Sequence, residues 1–215
     1  IRRAEEQLYS LGDSGHLENG PRGFADVMST TVQMIAAATT RDTAYTGVAS
    51  GFADLDKRLG GLNRSDLIIL AARPAMGKTA LATNIAFNAA KDEDAVVAFF
   101  SMEMSSEQLA TRMLAEQTGI SSEKLRKGEI STRSDSHNDS EFARLVTTAR
   151  DLEKLRFYVD DTPALPVGSL RTRARRLKRQ NQGKLDLIIV DYLQLMQGKV
   201  GTENRVQEIS EISRG

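Results

Sequence analysis

A chain of 215 residues is long enough for one domain with an appendage. With 29 Lys and Arg against 29 Asp and Glu the formal net charge is zero, so bulk charge points to no partner class and any nucleic-acid contact has to come from a local patch or an assembled surface. The absence of Cys excludes disulfides and thiolate metal sites, and no apolar run approaches the roughly 20 residues of a membrane-spanning helix. A cytoplasmic protein without membrane contact is expected.

Residues 1–11 have a helical pattern and no signal-peptide character, so the chain is expected to start inside a larger protein. A polar, Gly-rich linker follows over 12–23, broken by Gly20-Pro21. The two histidines, His16 and His137, lie in polar stretches and read as solvated, so no zinc site is expected. A second helix is predicted over 24–38, where Phe24, Val27, Met28, Met34 and Ile35 recur near helical period and Asp26 falls in the first turn. Isolated between that linker and a loop over 39–50, it cannot bury its apolar stripe alone. It has to dock on the next domain or on a neighbouring subunit.

From Gly51 strands and helices alternate. Short apolar runs predict strands at 67–72, 96–101, 157–160 and 187–191, each continuous enough to be buried on both faces. Helices are predicted at 78–90, 106–118, 139–154 and 169–180. That order argues for an α/β fold, a parallel sheet flanked by helices. The polar insert 131–140 reads as a mobile loop. Helical spacing of Val206, Ile209 and Ile212 near the end has no finished partner element.

The most informative segment is the apolar run 67–72 followed by Arg73-Pro74-Ala75-Met76-Gly77-Lys78-Thr79-Ala80. It reads as a strand, a tight turn and Gly-Lys-Thr opening a helix. The phosphate-loop pattern wants Gly six residues before Lys, and Ala72 stands there instead. The physics survives that change. Backbone N–H groups of the turn and the helix start point at phosphates, Gly77 lets the backbone come close, Lys78 supplies positive charge and the Thr79 hydroxyl can ligate Mg²⁺. The other reading of Gly-Lys-Thr is a plain helix start. Asp191 closes the apolar run 187–190 and can hold a metal-bound water beside Thr79, although a helix cap or a strand-end charge is also open to it. Glu103 follows the second strand at the edge where open α/β sheets place ligands. There it either polarises an attacking water or supplies N-terminal charge to the next helix.

Three segments together resemble successive motifs of the DnaB replicative helicase family: Ala71 to Thr79, Phe100-Ser101-Met102-Glu103-Met104, and Ile189-Val190-Asp191-Tyr192-Leu193-Gln194-Leu195-Met196. The stretch Thr46 to Asp56 resembles that family's approach to its motor domain, and Arg173 to Arg176 and Glu208 to Arg214 match as well. The resemblance covers essentially the whole chain and implies a RecA-like P-loop core over 46–215, incomplete at its C-terminal end. Residues 1–45 would be the end of an N-terminal region and a linker helix that packs on the adjacent subunit. It implies that ATP and Mg²⁺ are the cofactors. Arg73, Pro74, Ala75, Met76, Gly77, Lys78, Thr79 and Ala80 would hold the nucleotide, with Thr79 and Asp191 at the metal and Glu103 and Lys78 catalytic. Arg112 would lie near the base, or else be a helix-surface arginine. The implied partners are single-stranded and forked DNA, five further copies in a hexameric ring, primase and a helicase loader. The family places a γ-phosphate sensor, an arginine finger acting across the subunit interface and a second DNA loop beyond Gly215.

The stretch 169–180 carries six positive charges and no acid, and Leu170, Ala174 and Leu177 share one helical face. It is expected to pack on the sheet with its charges solvated, facing a subunit or touching phosphates. Lys199 and Arg205 follow the Asp191 strand and are candidates for contact with the DNA backbone. The expected function is an ATP-dependent replicative helicase moving 5′ to 3′ on single-stranded DNA. The alternatives are another RecA-like ATPase, or a nucleotide-binding fragment without unwinding activity.

Overall fold

The structure is a computed structural model that describes residues 23–39, 47–133 and 140–192. The predicted helix at 1–11, most of the first linker, His16, His137 and the segment after Tyr192 lie outside the described residues. The chain divides into two compact units, Ile1–Thr43 and Ala44–Gly215. In the first, helix α1 spans Phe24–Thr39, one residue longer than its periodicity predicts. Its stripe stays exposed, with Phe24 at 77% and Met28 at 46%. No helix among the described residues is long and apolar enough to cross a membrane.

The second unit runs α2 (Ala53–Leu59), α3 (Lys78–Asp92), β1 (Val97–Ser101), α4 (Ser106–Thr118), α5 (Ser122–Lys127), α6 (Glu141–Leu152), β2 (Phe157–Asp160), α7 (Val167–Gln180) and β3 (Leu187–Asp191). The three strands are parallel in the order β2-β1-β3, with Val97 opposite both Phe157 and Leu187. Alternation along β1 splits the core. Val97 and Phe99 face the alanines of α3 (Ala82, Ala86, Ala89, Ala90) and Leu109 of α4, while Ala98 and Phe100 face Leu170 and Leu177 of α7. The two crossovers run in opposite directions across the sheet, and a common right hand then puts α4 and α7 on opposite faces. The small Ala residues on α3 let it lie close over the sheet.

Two short helices escape the periodicity reading because they are too short to show a period. In α2, Gly60 ends the helix in the left-handed region (φ 70°) with its N–H on the Asp56 carbonyl. The buried Asp56 carboxylate accepts from the Ser50 N–H at 2.7 Å, and Asn88 of α3 donates to the Ser50 carbonyl at 3.1 Å, which ties residues 47–62 to α3. The Ser121 hydroxyl accepts from the Lys124 N–H to start α5, and Gly128 (φ 69°) ends it. The longer helices follow their predicted bounds closely, and α4 matches them residue for residue. Its start is fixed by a capping box between Ser105 and Gln108 and by the Asp161 carboxylate, which accepts from the Ser106 N–H at 2.9 Å and from its hydroxyl at 3.0 Å.

Residues 67–72 are a correction. Their apolar pattern predicts a strand, yet they join no ladder among the described residues, and Leu67 and Ile69 remain 70% and 67% exposed. An apolar run specifies that a segment seeks burial, but a strand exists only where a neighbour aligns its N–H and C=O groups. That alignment is set by distant parts of the chain. The three described strands satisfy one another without this run.

The basic helix α7 packs through Ala174, Leu170 and Leu177 as its pattern predicts. Of its cations, Arg173 is turned back on the sheet. Its guanidinium donates to both Asp160 oxygens, at 2.7 and 2.6 Å, and to the Thr162 hydroxyl at 2.6 Å. Burial raises the Asp160 pKa, but the Arg173 and Thr162 hydrogen bonds and the arginine charge outweigh it and hold the carboxyl below its ordinary value. A depressed folded-state pKa contributes stability above the unfolded value, lost as pH falls through the folded one. Arg173→Ala removes the depression and leaves the burial. Acid unfolding followed by circular dichroism should therefore move to higher pH, with little change near neutrality beyond the lost pair.

Candidate functional site

Strands β1 and β3 end side by side, Ser101 opposite Asp191, at the carboxyl edge where parallel α/β sheets form their crevice. The Met102 N–H donates to the Asp191 carbonyl at 2.8 Å and extends that pairing by one residue. Beyond it, Ser101, 1% exposed, folds the chain over. Its hydroxyl donates to the Met104 carbonyl at 2.7 Å and accepts from the Met104 N–H at 3.2 Å. That small loop carries the exposed Glu103 out between the strand and α4.

The opposite wall is the turn before α3. Met76 N–H donates to the Arg73 carbonyl at 3.2 Å, with Pro74 and Ala75 at the two corners. Ala75 has φ 63°, as a type II turn requires of its third residue, and Gly77 has φ 84° at the helix start. The reason for Gly77 is thus its backbone angle, since a Cβ there would meet nothing within 4 Å. Helix α3 begins without a side-chain cap and without an acid in its first turn, whereas α4, α5 and α6 all start on a serine hydroxyl. The N–H groups of Lys78, Thr79 and Ala80 consequently have no hydrogen-bond partner among the described residues. Three free donors and the positive end of a helix make this an anion-accepting wall.

Asp191 joins the two walls. It is 3% exposed, and its carboxylate takes the Lys78 ammonium at 3.0 Å and the Thr79 hydroxyl at 2.6 Å. A buried carboxylate is tolerated only with such partners. The Lys78 ammonium also lies 4.1 Å from the centre of the Tyr192 ring.

These groups surround a cavity of about 1030 Å³. Its lining includes Arg73, Pro74, Ala75, Gly77, Lys78, Thr79, Ala80, Glu103 and Arg112 from among the predicted site residues. Asp191 reaches it through Lys78 and Thr79. Met76, predicted with the loop, is not in the lining: its side chain is 72% exposed and its N–H is spent on Arg73. Lys199 and Arg205 lie outside the described residues. The sequence reading missed Met104, Ala115, Glu116 and Tyr192, which also line the cavity. Ala115 and Glu116 stand three and four places after Arg112, a helical spacing that a face count along α4 would have found. The immediate neighbour of Asp191 was the signal for Tyr192. Among the described residues no group of three or more His, Asp or Glu forms a preformed metal cluster.

The family model of the DnaB-like helicase C terminal domain matches residues 47–215. A Rickettsia bellii protein named replicative DNA helicase DnaB is 44% identical over 225 aligned positions, covering all of this chain and 43% of that protein. A solved helicase ATPase domain superposes with a TM-score of 0.80 at 29% identity, over 91% of this chain and 66% of that one. A solved DnaB-like replicative helicase, described with its interactions with primase, gives 0.73 at 28% identity, over 100% of this chain and 49% of that one. The chain therefore spans less than half the length of the helicase relatives it matches. Both structural neighbours have the RecA-like arrangement that β1–β3 and their helices share. By the family match over most of its length, the chain belongs to the DnaB-like helicase C terminal domain family.

Proposed function

We propose that the cavity binds Mg²⁺–ATP and that the chain is the nucleotide-hydrolysing part of a replicative DNA helicase. The observation that carries this is the convergence of Asp191, Lys78 and Thr79 at an uncapped helix start, across from Glu103. The residues suit the group. Free N–H donors and an ammonium match phosphate oxygens, and a hydroxyl and a buried carboxylate side by side are hard oxygen donors suited to Mg²⁺. When bound, Mg²⁺ would neutralise charge that develops on the transferred phosphoryl group.

In this reading the N–H groups of residues 77–80 orient the phosphate chain and Lys78 moves its charge from Asp191 to the outer phosphates. Thr79 and Asp191 hold the metal, the latter through water. Glu103 accepts the proton of the attacking water at its carboxylate. Arg73 and Arg112 border the nucleotide at the two ends of the cavity. Residues 1–45 are the end of an N-terminal region with a linker helix, and 46–215 the motor domain. The exposed stripe of α1 supports that boundary, because a neighbouring subunit of a hexameric ring would cover it. Single-stranded and forked DNA, primase and a loader are the proposed partners, in the cytoplasm. Lys199 and Arg205 are proposed contacts to the DNA backbone.

The test is ATP turnover by the chain with and without single-stranded DNA, beside Glu103→Gln. A general base contributes about 10²–10⁴-fold, so Glu103→Gln is expected to lose that much turnover with nucleotide affinity within about twofold of the parent. Turnover that DNA does not alter would favour another RecA-like ATPase. Binding without turnover would favour a nucleotide-binding fragment, and Glu103→Gln with full turnover would remove Glu103 from the chemistry.

A further inference from the structure

Tyr192 is the site residue whose role neither the phosphate loop nor the strand-end acid explains. Its ring lies 4.1 Å from the Lys78 ammonium and lines the same cavity. Its hydroxyl has no hydrogen-bond partner among the described residues, so the contact depends on the ring face alone. Lysine ends a flexible four-carbon stem with large rotamer entropy. The Lys78 side chain is 25% exposed, which leaves water as a competing environment for the charge. Asp191 offers one anchor, but the metal role proposed for it needs that carboxylate elsewhere. An aromatic face does not compete with phosphate for the ammonium's hydrogen bonds: it attracts the cation through the ring quadrupole and leaves its N–H donors free.

We propose that Tyr192 is a positioning residue for Lys78, holding the ammonium over its ring while the cation exchanges Asp191 for a phosphate oxygen. This rests on the phosphate-site reading above. The contribution falls on the phosphates Lys78 reaches and not on the rest of the nucleotide. Its signature is therefore a selective loss of affinity for a diphosphate relative to a monophosphate.

The experiment measures ADP and AMP affinity, by displacement of a fluorescent nucleotide, for the 215-residue chain and for Tyr192→Phe, Tyr192→Leu and Tyr192→Met. The expected result is ADP binding weakened about 3–10-fold in the Leu and Met variants, AMP binding unchanged, and Tyr192→Phe equal to the parent. Thermal melting identifies a variant that fails to fold, and Leu and Met fill the space with different shapes, so one of them reports if the other does not. The proposal is overturned if ADP and AMP weaken alike, which is a packing role, or if Leu and Met bind ADP as the parent does. It is also overturned if Tyr192→Phe loses as much as Leu, which makes the hydroxyl the active group. A parent chain that binds neither nucleotide overturns the phosphate-site reading itself, and this inference with it.

Discussion

Lys78→Ala should cost nucleotide binding and stability together, and the two losses should separate in a second variant. Binding falls because the ammonium's charge-assisted hydrogen bonds to phosphate, each about 1.5–3 kcal/mol, are gone, a loss of roughly 10–150-fold per bond. Stability falls for a different reason. The Asp191 side chain is 4% exposed and loses its counter-ion, keeping only the Thr79 hydroxyl. Stripping one partner from a fully buried pair costs about 3–5 kcal/mol, but the partial exposure of Lys78 lets water reach the site, so about 1–3 kcal/mol is expected. Adding Asp191→Asn to Lys78→Ala removes the stranded charge and should recover most of the stability without recovering ADP affinity. Urea unfolding and ADP titration of the single and double variants measure both quantities. ADP affinity unchanged in Lys78→Ala would rule out the phosphate role. Stability not restored in the double variant would show that Lys78 acts by packing.

Phe99→Ala should be the most damaging single change to the fold. Phe99 is 0% exposed on the central strand and faces Phe157 across the ladder, ring centres 6.3 Å apart at 25°. It also closes the layer beneath the alanines of α3. Those small residues have no side chains that can swing into the vacated space, so the cavity stays open and the cost is expected near about 3–5 kcal/mol. For a chain of this size that lowers Tm by roughly 10 °C. Tyr158→Ala is the control, because Tyr158 lies on edge strand β2 and is 39% exposed; it should cost about 1 kcal/mol or less. Both are read by thermal denaturation. Equal losses would mean that the core is not centred on β1.

The sequence carried enough to locate most of the site because its signals are local. Gly77-Lys78-Thr79 opens a helix that needs its N–H groups satisfied from outside, and no capping side chain precedes it. An acid ends the apolar run of β3, and Leu170, Ala174 and Leu177 recur on one face of α7. Such features lie within one strand or one helical turn, where spacing alone fixes which face a side chain takes. The short helices α2 and α5 were lost for the same reason in reverse, since six or seven residues hold too little period.

What the tertiary structure decided is everything that needed two distant segments to meet. Only the placement of β3 beside β1 brings Asp191 to Lys78 and Thr79 across more than a hundred residues, and only there does the Tyr192 ring come under the Lys78 ammonium. The sequence offered 67–72 as a strand and Met76 as part of the nucleotide wall. The fold leaves the first without a ladder and turns the second to solvent. Hydrophobicity states what a residue prefers to avoid, while hydrogen-bond partners and charge pairs are chosen by whichever groups the folded chain brings within about 3 Å.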